Sequence, residues 1–212
     1  DNIVEQLTRQ YDGYRFTPSK GFAPMYNPFS VLSALDKLRF SDYWFASGTP
    51  TFLVEILKRT DFDLRELDDI EVSSASLSDD RANISNPVPM IYQSGYLTIK
   101  SYDQRFRVYI LGFPNEEVKY GFLNFAAPFY TPVSSTDTSF YIGKFVHELE
   151  TGDVDAFLTR LNCFFADFPY ELNSKTERHY QVVFYLVFKL MGQFTQAEVR
   201  TAIGRADAVV KT

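Results

Sequence analysis

The fold class predicted from the sequence is decided by residues 95–111, GYLTIKSYDQRFRVYIL. Apolar and polar side chains alternate along residues 96–100 and again along residues 105–111, which is the period of a β-strand with one buried face. Residues 101–104 are polar and can turn the chain between these two strands. The stretch therefore predicts a β-hairpin in a chain whose other patterns are mostly helical.

The same hairpin predicts a surface for nucleic acid. Phe106, Val108 and Ile110 are expected to face the core with the aliphatic residues of the partner strand, so the opposite face carries three cations and two tyrosines. Cations contact phosphates and aromatic rings stack on bases. An ordinary solvated face of an antiparallel pair is also polar, so this alternative stays open. The candidate nucleic-acid-binding residues are Lys100, Arg105, Arg107, Tyr96 and Tyr109.

Helices are predicted on both sides of the hairpin. On the N-terminal side, Asn27 and Pro28 are typical of a helix start. On the C-terminal side, Asn115 is a capping residue, and the glutamates that follow favour the N-terminal end of a helix. A helix next to a two-stranded hairpin resembles a winged helix. Farther on, residues 154–165 predict an amphipathic helix, residues 180–190 a buried helix, and residues 196–201 and 206–210 two short strands.

An acidic block precedes the hairpin. Residues 61–80 carry eight acidic side chains against Arg65 alone, together with several serines. Such a composition is typical of a solvated connection, so it predicts a boundary between two parts of the chain.

Composition excludes several classes of protein. The chain has 212 residues and a formal net charge of −6, so it is not a basic protein that coats nucleic acid. Its one cysteine, Cys163, excludes a disulfide framework and predicts a small buried side chain among aromatic neighbours. No apolar run approaches ~18 residues, so we expect no membrane partner and a cytoplasmic location. Nucleotide-binding glycine loops and paired zinc-ligand motifs are absent from the sequence.

Asp207 stands out near the C-terminus because it is an anion within a short apolar strand. Burial of a carboxylate is costly unless a cation or hydrogen-bond donors compensate it. Arg205 and a divalent metal ion are both possible partners. A structural role for Asp207 is the alternative.

Several motifs in one order resemble a known family. They lie in residues 11–16, 26–32, 43–53, 92–100 and 111–118, and in the final stretch from residue 177 to residue 207. The first five resemble the AAA-ATPase-like proteins common in gut Bacteroidetes. The last resembles the start of the PD-(D/E)XK nuclease-like domain that ends these proteins.

The resemblance implies a site in the longer protein. Asp207 matches the first metal-binding aspartate of the nuclease-like motif, and Glu177 matches an acidic position on that domain's first helix. The remaining glutamate and lysine are expected beyond Thr212, and the phosphate-binding loop before Asp1. Mg²⁺ and ATP are then cofactors of the longer protein, and we expect the 212-residue chain alone to be catalytically incomplete.

The predicted fold class is α+β, with four parts. Residues 1–70 are expected to be the helical end of an ATPase-like region, and residues 71–135 a winged-helix-like part. Residues 136–175 are a helical connector, and residues 176–212 begin the nuclease-like domain. Two functions follow: a nucleic-acid-processing protein with a metal-dependent nuclease site, or a non-enzymatic interaction or regulatory module on a degenerate nuclease-like scaffold.

Overall fold

The computed structural model describes residues 2–19, 21–48, 51–60, 62–67, 69–77, 86–131, 133–166, 177–192, 200–201 and 208–209. Helices and short antiparallel strands in these ranges confirm the predicted α+β class. The helices are α1 (Ile3–Tyr11), α2 (Pro28–Lys37), α3 (Tyr43–Ala46), α4 (Thr51–Arg59), α5 (Ser74–Leu77), α6 (Val88–Gln93), α7 (Glu116–Tyr130), α8 (Ser135–Glu150), α9 (Val154–Ala166) and α10 (Glu177–Met191). The strands are β1 (Ile70–Ser73), β2 (Thr98–Asp103), β3 (Val108–Gly112), β4 (Arg200–Thr201) and β5 (Ala208–Val209).

Side-chain caps begin the helices at the predicted residues. The Asn27 Oδ1 atom accepts hydrogen bonds from the Phe29 and Ser30 amides at 3.1 and 3.3 Å, and Pro28 opens α2. The Asn115 Oδ1 atom accepts one from the Val118 amide at 3.1 Å, so Asn115 caps the start of α7. These contacts satisfy amides that have no partner within the helix.

A three-stranded antiparallel sheet replaces the predicted two-stranded hairpin. Its strand order is β1-β3-β2, so β3 lies in the centre. Strand β1 comes from the acidic block, and Val72 within it is buried. Just before β1, the 3₁₀ turn Leu64–Leu67 buries both of its leucines.

The prediction of a solvated connection over residues 61–80 is therefore wrong for the described residues 63–67 and 69–73. Apolar side chains between the acidic residues of this segment are buried in the core. The charge of Asp63 is paired with that of Arg65, whose Nε atom donates to the Asp63 Oδ1 atom at 2.9 Å. Because the block is rich in acidic residues, the short strand β1 within it was not predicted from the sequence.

The chain divides into two compact units, residues 1–122 and 123–212. In the first unit, Tyr11, Ala34 and Tyr43 form a buried cluster. The predicted bounds of the four parts, and the likeness to a winged helix, stay predictions.

The second unit contains the packed helices α8, α9 and α10. The Phe145 ring of α8 lies 5.6 Å from the Phe157 ring of α9, and the Arg160 Nε atom donates to the buried Glu148 Oε1 atom at 2.6 Å. Cys163 is exposed, so its predicted burial is wrong: Phe164 next to it occupies the buried face of α9. Among the described helices, none combines the length and hydrophobicity that a membrane span needs.

Candidate functional sites

The predicted metal-binding residues fall at the C-terminal end of the second unit. Glu177 is the first residue of α10, but its side chain lies outside the described part of the structure, as does the whole of Asp207. In the part of the chain that the structure describes, no group of three or more His, Cys, Asp or Glu residues is placed to hold a metal ion. The metal-binding role of both residues stays a prediction.

The hairpin turn lies farther along the chain than predicted. Strand β2 continues to Asp103, and the turn spans residues 104–107 instead of 101–104. The Asp103 Oδ1 atom accepts hydrogen bonds from the Arg105 and Phe106 amides at 2.8 and 3.1 Å, and Arg107 adopts a φ of 55°. Aspartate stabilises this kind of turn through such contacts, so Asp103 sets the position of the reversal.

A bulge in β2 changes which side chains face the core. The strand register shifts between Ile99 and Ser101, at Lys100. Tyr109 pairs with Val72 on one side and Tyr102 on the other, and its ring centroid lies 4.6 Å from that of Tyr102. Because Val72 is buried, Tyr109 faces the core side of the sheet.

The prediction that Tyr96 and Tyr109 face outward is therefore wrong. Tyr96 is buried, and its ring lies 5.4 Å from that of Trp44 and 5.7 Å from that of Phe122. The prediction for Phe106 is wrong in the opposite sense, because this side chain is 64% exposed.

The three predicted cations do lie at the surface. Lys100, Arg105 and Arg107 are exposed, the two arginines in the turn and the lysine at the bulge. The Lys100 side chain runs along Gly112, and its Nζ atom lies 3.5 Å from the Pro114 carbonyl oxygen. The arginines alone reach the tip of the hairpin.

A second polar site, not predicted from the sequence, is centred on Glu117 in the first turn of α7. This carboxylate is fully buried. Its Oε1 atom accepts hydrogen bonds from the Ser30 hydroxyl at 2.9 Å and from the Trp44 amide at 2.8 Å. One carboxylate thus joins α2, α3 and α7, and three of the motif segments meet at it.

Burial controls the protonation of this site. It raises the pKa of Glu117 to about 7, against the lowering effect of the Ser30 and Trp44 hydrogen bonds, and the negative charge of Asp42 raises the pKa further. The Oε2 atom has no hydrogen-bond partner among the described residues, and neither do the buried Asp12 Oδ1 and Asn115 Nδ2 atoms. A protonated Glu117 keeps both hydrogen bonds at Oε1 without burying a charge.

The backbone is closely packed at Pro114, just before the helix that carries Glu117. Gly13 has a φ of +109°, and a Cβ atom there would lie 2.0 Å from the Pro114 carbonyl oxygen. The loop that contains Gly13 is fixed by backbone hydrogen bonds between Tyr14 and Met25, at 3.1 and 2.9 Å. The site is consequently a structural junction of buried polar groups.

The sequence carries only a weak signal for the burial of Glu117, namely its helical spacing to later residues of α7. Tyr120 and Gly121, three and four residues later, are both buried, so Glu117 lies on the buried face of α7. Its position in the first helical turn indicated only a favourable interaction with the helix dipole.

Two comparisons with known proteins give a match, one over the C-terminal segment and one over nearly the whole chain. Residues 175–212 match the family described as the PD-(D/E)XK nuclease superfamily. The chain is 30% identical over 214 residues to a protein of Azotobacter chroococcum mcd 1 whose name is "Uncharacterized protein in vnfD 5'region". The alignment covers 97% of this chain but 40% of the length of that protein. No solved structure matches at a significant level. Residues 175–212 thus resemble a PD-(D/E)XK nuclease domain.

Proposed function

We propose that this protein processes nucleic acid through a metal-dependent, PD-(D/E)XK nuclease-like domain to which residues 175–212 contribute. The match of these residues to the nuclease superfamily carries the proposal. Asp207 and Glu177 are the proposed ligands of Mg²⁺, a cation that prefers oxygen donors. When bound, such an ion supplies Lewis-acid stabilisation of phosphate oxygens.

The described part of the matched segment agrees with this proposal. Helix α10 precedes two strands that pair in antiparallel register, with Arg200 opposite Val209 and Thr201 opposite Ala208. Asp207 directly precedes β5 in the sequence.

ATP is the second cofactor in the proposal. It rests on the resemblance of residues 1–70 to the end of an ATPase-like region, and it assigns to nucleotide binding a regulatory role in the longer protein. ATP hydrolysis by the protein expressed from its own gene tests this part separately from nuclease activity.

The nuclease proposal is tested with the protein as its gene encodes it. We expect Mg²⁺-dependent cleavage of labelled DNA or RNA, lost in Asp207→Asn and strongly reduced in Glu177→Gln. Asp155→Asn, an exposed carboxylate in the first turn of α9, is the matched control and should cleave normally. Cleavage that persists in Asp207→Asn would contradict the assignment.

A non-enzymatic interaction module is the alternative. It is favoured by the outer side of α2, where Phe29, Leu32 and Leu35 are 52%, 67% and 54% exposed, respectively. Exposed apolar groups of this size are common at protein–protein interfaces. This alternative would be supported if the wild-type protein bound neither Mg²⁺ nor nucleic acid. It would also have to form a stable complex with another protein, and Leu32→Glu would have to abolish that complex.

A further inference from the structure

We propose that the hairpin tip, residues 104–107, binds an unpaired base of a nucleic acid by stacking it on Phe106, with Arg105 and Arg107 contacting the adjoining phosphates. This inference rests on the proposed function, because it names how that protein would hold its substrate. Phe106 carries the inference: an aromatic side chain that the strand pattern assigned to the core is 64% exposed at the end of the hairpin.

The Arg105 guanidinium lies over one face of the Phe106 ring, while the side chain as a whole is 64% exposed. The Arg105 guanidinium carbon lies 5.0 Å from the ring centroid, which is a cation–π distance. A base that stacks on the ring needs one face only. A wedge between two stacked base pairs needs both faces, so this geometry favours an unpaired base over an intact duplex.

The tip is also pre-organised. The Asp103 Oδ1 atom holds the Arg105 and Phe106 amides, and the Ser74 hydroxyl lies 3.5 Å from the Arg107 carbonyl oxygen. Neither arginine takes part in an ion pair within the described ranges. Two exposed cations thus flank an exposed ring in the sequence, and these are the groups that contact phosphates and stack on a base.

Fluorescence anisotropy of a short labelled DNA single strand, measured with EDTA at low salt, tests the proposal on the 212-residue chain. Phe106→Leu should weaken binding about 5- to 100-fold without changing the salt dependence. Arg105→Gln and Arg107→Asn should each weaken binding and reduce the salt slope by about 1. Asparagine is chosen at 107 because it tolerates a positive φ.

The chain offers a matched control. Phe140 on α8 is 59% exposed, and the Lys144 Nζ atom lies 5.7 Å from its ring centroid. Phe140→Leu removes a similarly exposed, cation-covered ring and should leave the affinity unchanged. Circular dichroism of each variant verifies that the fold is retained.

Three outcomes would overturn the proposal. They are equal affinity of Phe106→Leu and wild type, tighter binding of the matching duplex than of the single strand, and no binding of either probe by the wild-type chain. None of these depends on Mg²⁺ or on Asp207. Failure of the tip therefore differs from failure of the nuclease proposal, which is decided by metal-dependent cleavage.

Discussion

Glu117→Gln should remove a pH dependence from the stability of the first unit. Burial raises the pKa of Glu117 from its ordinary 4.5 to about 7 in the folded protein. Below pH 4.5 the carboxyl is neutral in both the folded and the unfolded states, so it contributes no penalty. Above pH 7 it is ionised in both states, and the folded state carries the full cost of burying the charge. The difference between the two pKa values corresponds to roughly 3 kcal/mol.

The sign of the effect follows from proton binding. Between these pH values the folded state holds a proton that the unfolded state has released, so the free energy of unfolding falls as pH rises. Glutamine keeps an Oε1 acceptor for the Ser30 hydroxyl and the Trp44 amide, but it cannot ionise. Its amide nitrogen would take the place of the Oε2 atom, which has no partner in the described structure, at a cost of about 1–3 kcal/mol at every pH.

Urea unfolding from pH 4.5 to pH 8.5, followed by Trp44 fluorescence, measures the effect. Trp44 is the single tryptophan, and its amide donates to the Glu117 carboxylate, so its emission reports on the first unit. The difference in unfolding free energy between Glu117→Gln and wild type should shift by about 3 kcal/mol in favour of the variant across this range. Burial also raises the pKa of Asp42, and comparing the two proteins cancels the part of its contribution that does not depend on the charge of Glu117.

Glu116→Gln is the control from the same helical turn. Glu116 is partly exposed, and its Oε2 atom lies 3.1 Å from the Arg9 Nε atom, a surface pair of small energetic value. Its removal should leave the pH profile of wild type in place. A free-energy difference between Glu117→Gln and wild type that is flat across the pH range would refute the reasoning about the buried carboxyl.

Three other predictions each concern a single residue and its surroundings. Gly13→Ala should destabilise the first unit by at least about 2 kcal/mol in urea unfolding, because a methyl group meets the Pro114 carbonyl oxygen at a φ of +109°; near-native stability would contradict this. Arg160→Met should destabilise the second unit by roughly 1–3 kcal/mol because the Glu148 carboxylate loses its donor, and adding Glu148→Gln should recover part of that loss. Cys163 should react with a thiol reagent in the native protein at nearly the rate of an unfolded thiol, since it is exposed; slow labelling would show that it is buried.

Local signals in the sequence predicted the helix starts. Asn27 and Asn115 cap helices because each side-chain oxygen reaches amides two or three residues later, and this depends on neighbouring residues alone. The hairpin was also predicted from a local signal, the alternation of apolar and polar side chains along its two strands. These features need no information about the rest of the fold.

The phase of the hairpin could not be predicted from the alternating pattern. Asp103 moves the turn toward the C-terminus, and the bulge at Lys100 shifts the register of β2 against β3. A shift of one residue in a strand exchanges its two faces. Tyr109 faces the core side, as its pairing with buried Val72 shows, and Phe106 lies in the turn.

The burial of Glu117 was missed for a different reason. Its role depends on Ser30 and Trp44, which are 87 and 73 residues away in the sequence. Charged residues are rarely buried without a partner, so the sequence favoured an exposed position for Glu117 at the start of α7. Only the tertiary arrangement brings two neutral donors to this carboxylate.

The position of the acids along β1 determines what the net charge of −6 means for the hairpin tip. The β1 residue opposite Val108, nearest the turn, is Ser73, whereas Glu71 pairs with Ile110. Ile110 lies two residues, or about 7 Å, along β3 from Val108, and Arg107 lies in the turn before that strand. Glu71 is thus separated from the tip by roughly the Debye length of about 8 Å at physiological salt, so salt weakens its effect there. Overall acidity should therefore slow the approach of nucleic acid, while the contact itself is determined by the two arginines, the ring between them and the Asp103 carboxylate at the base of the turn.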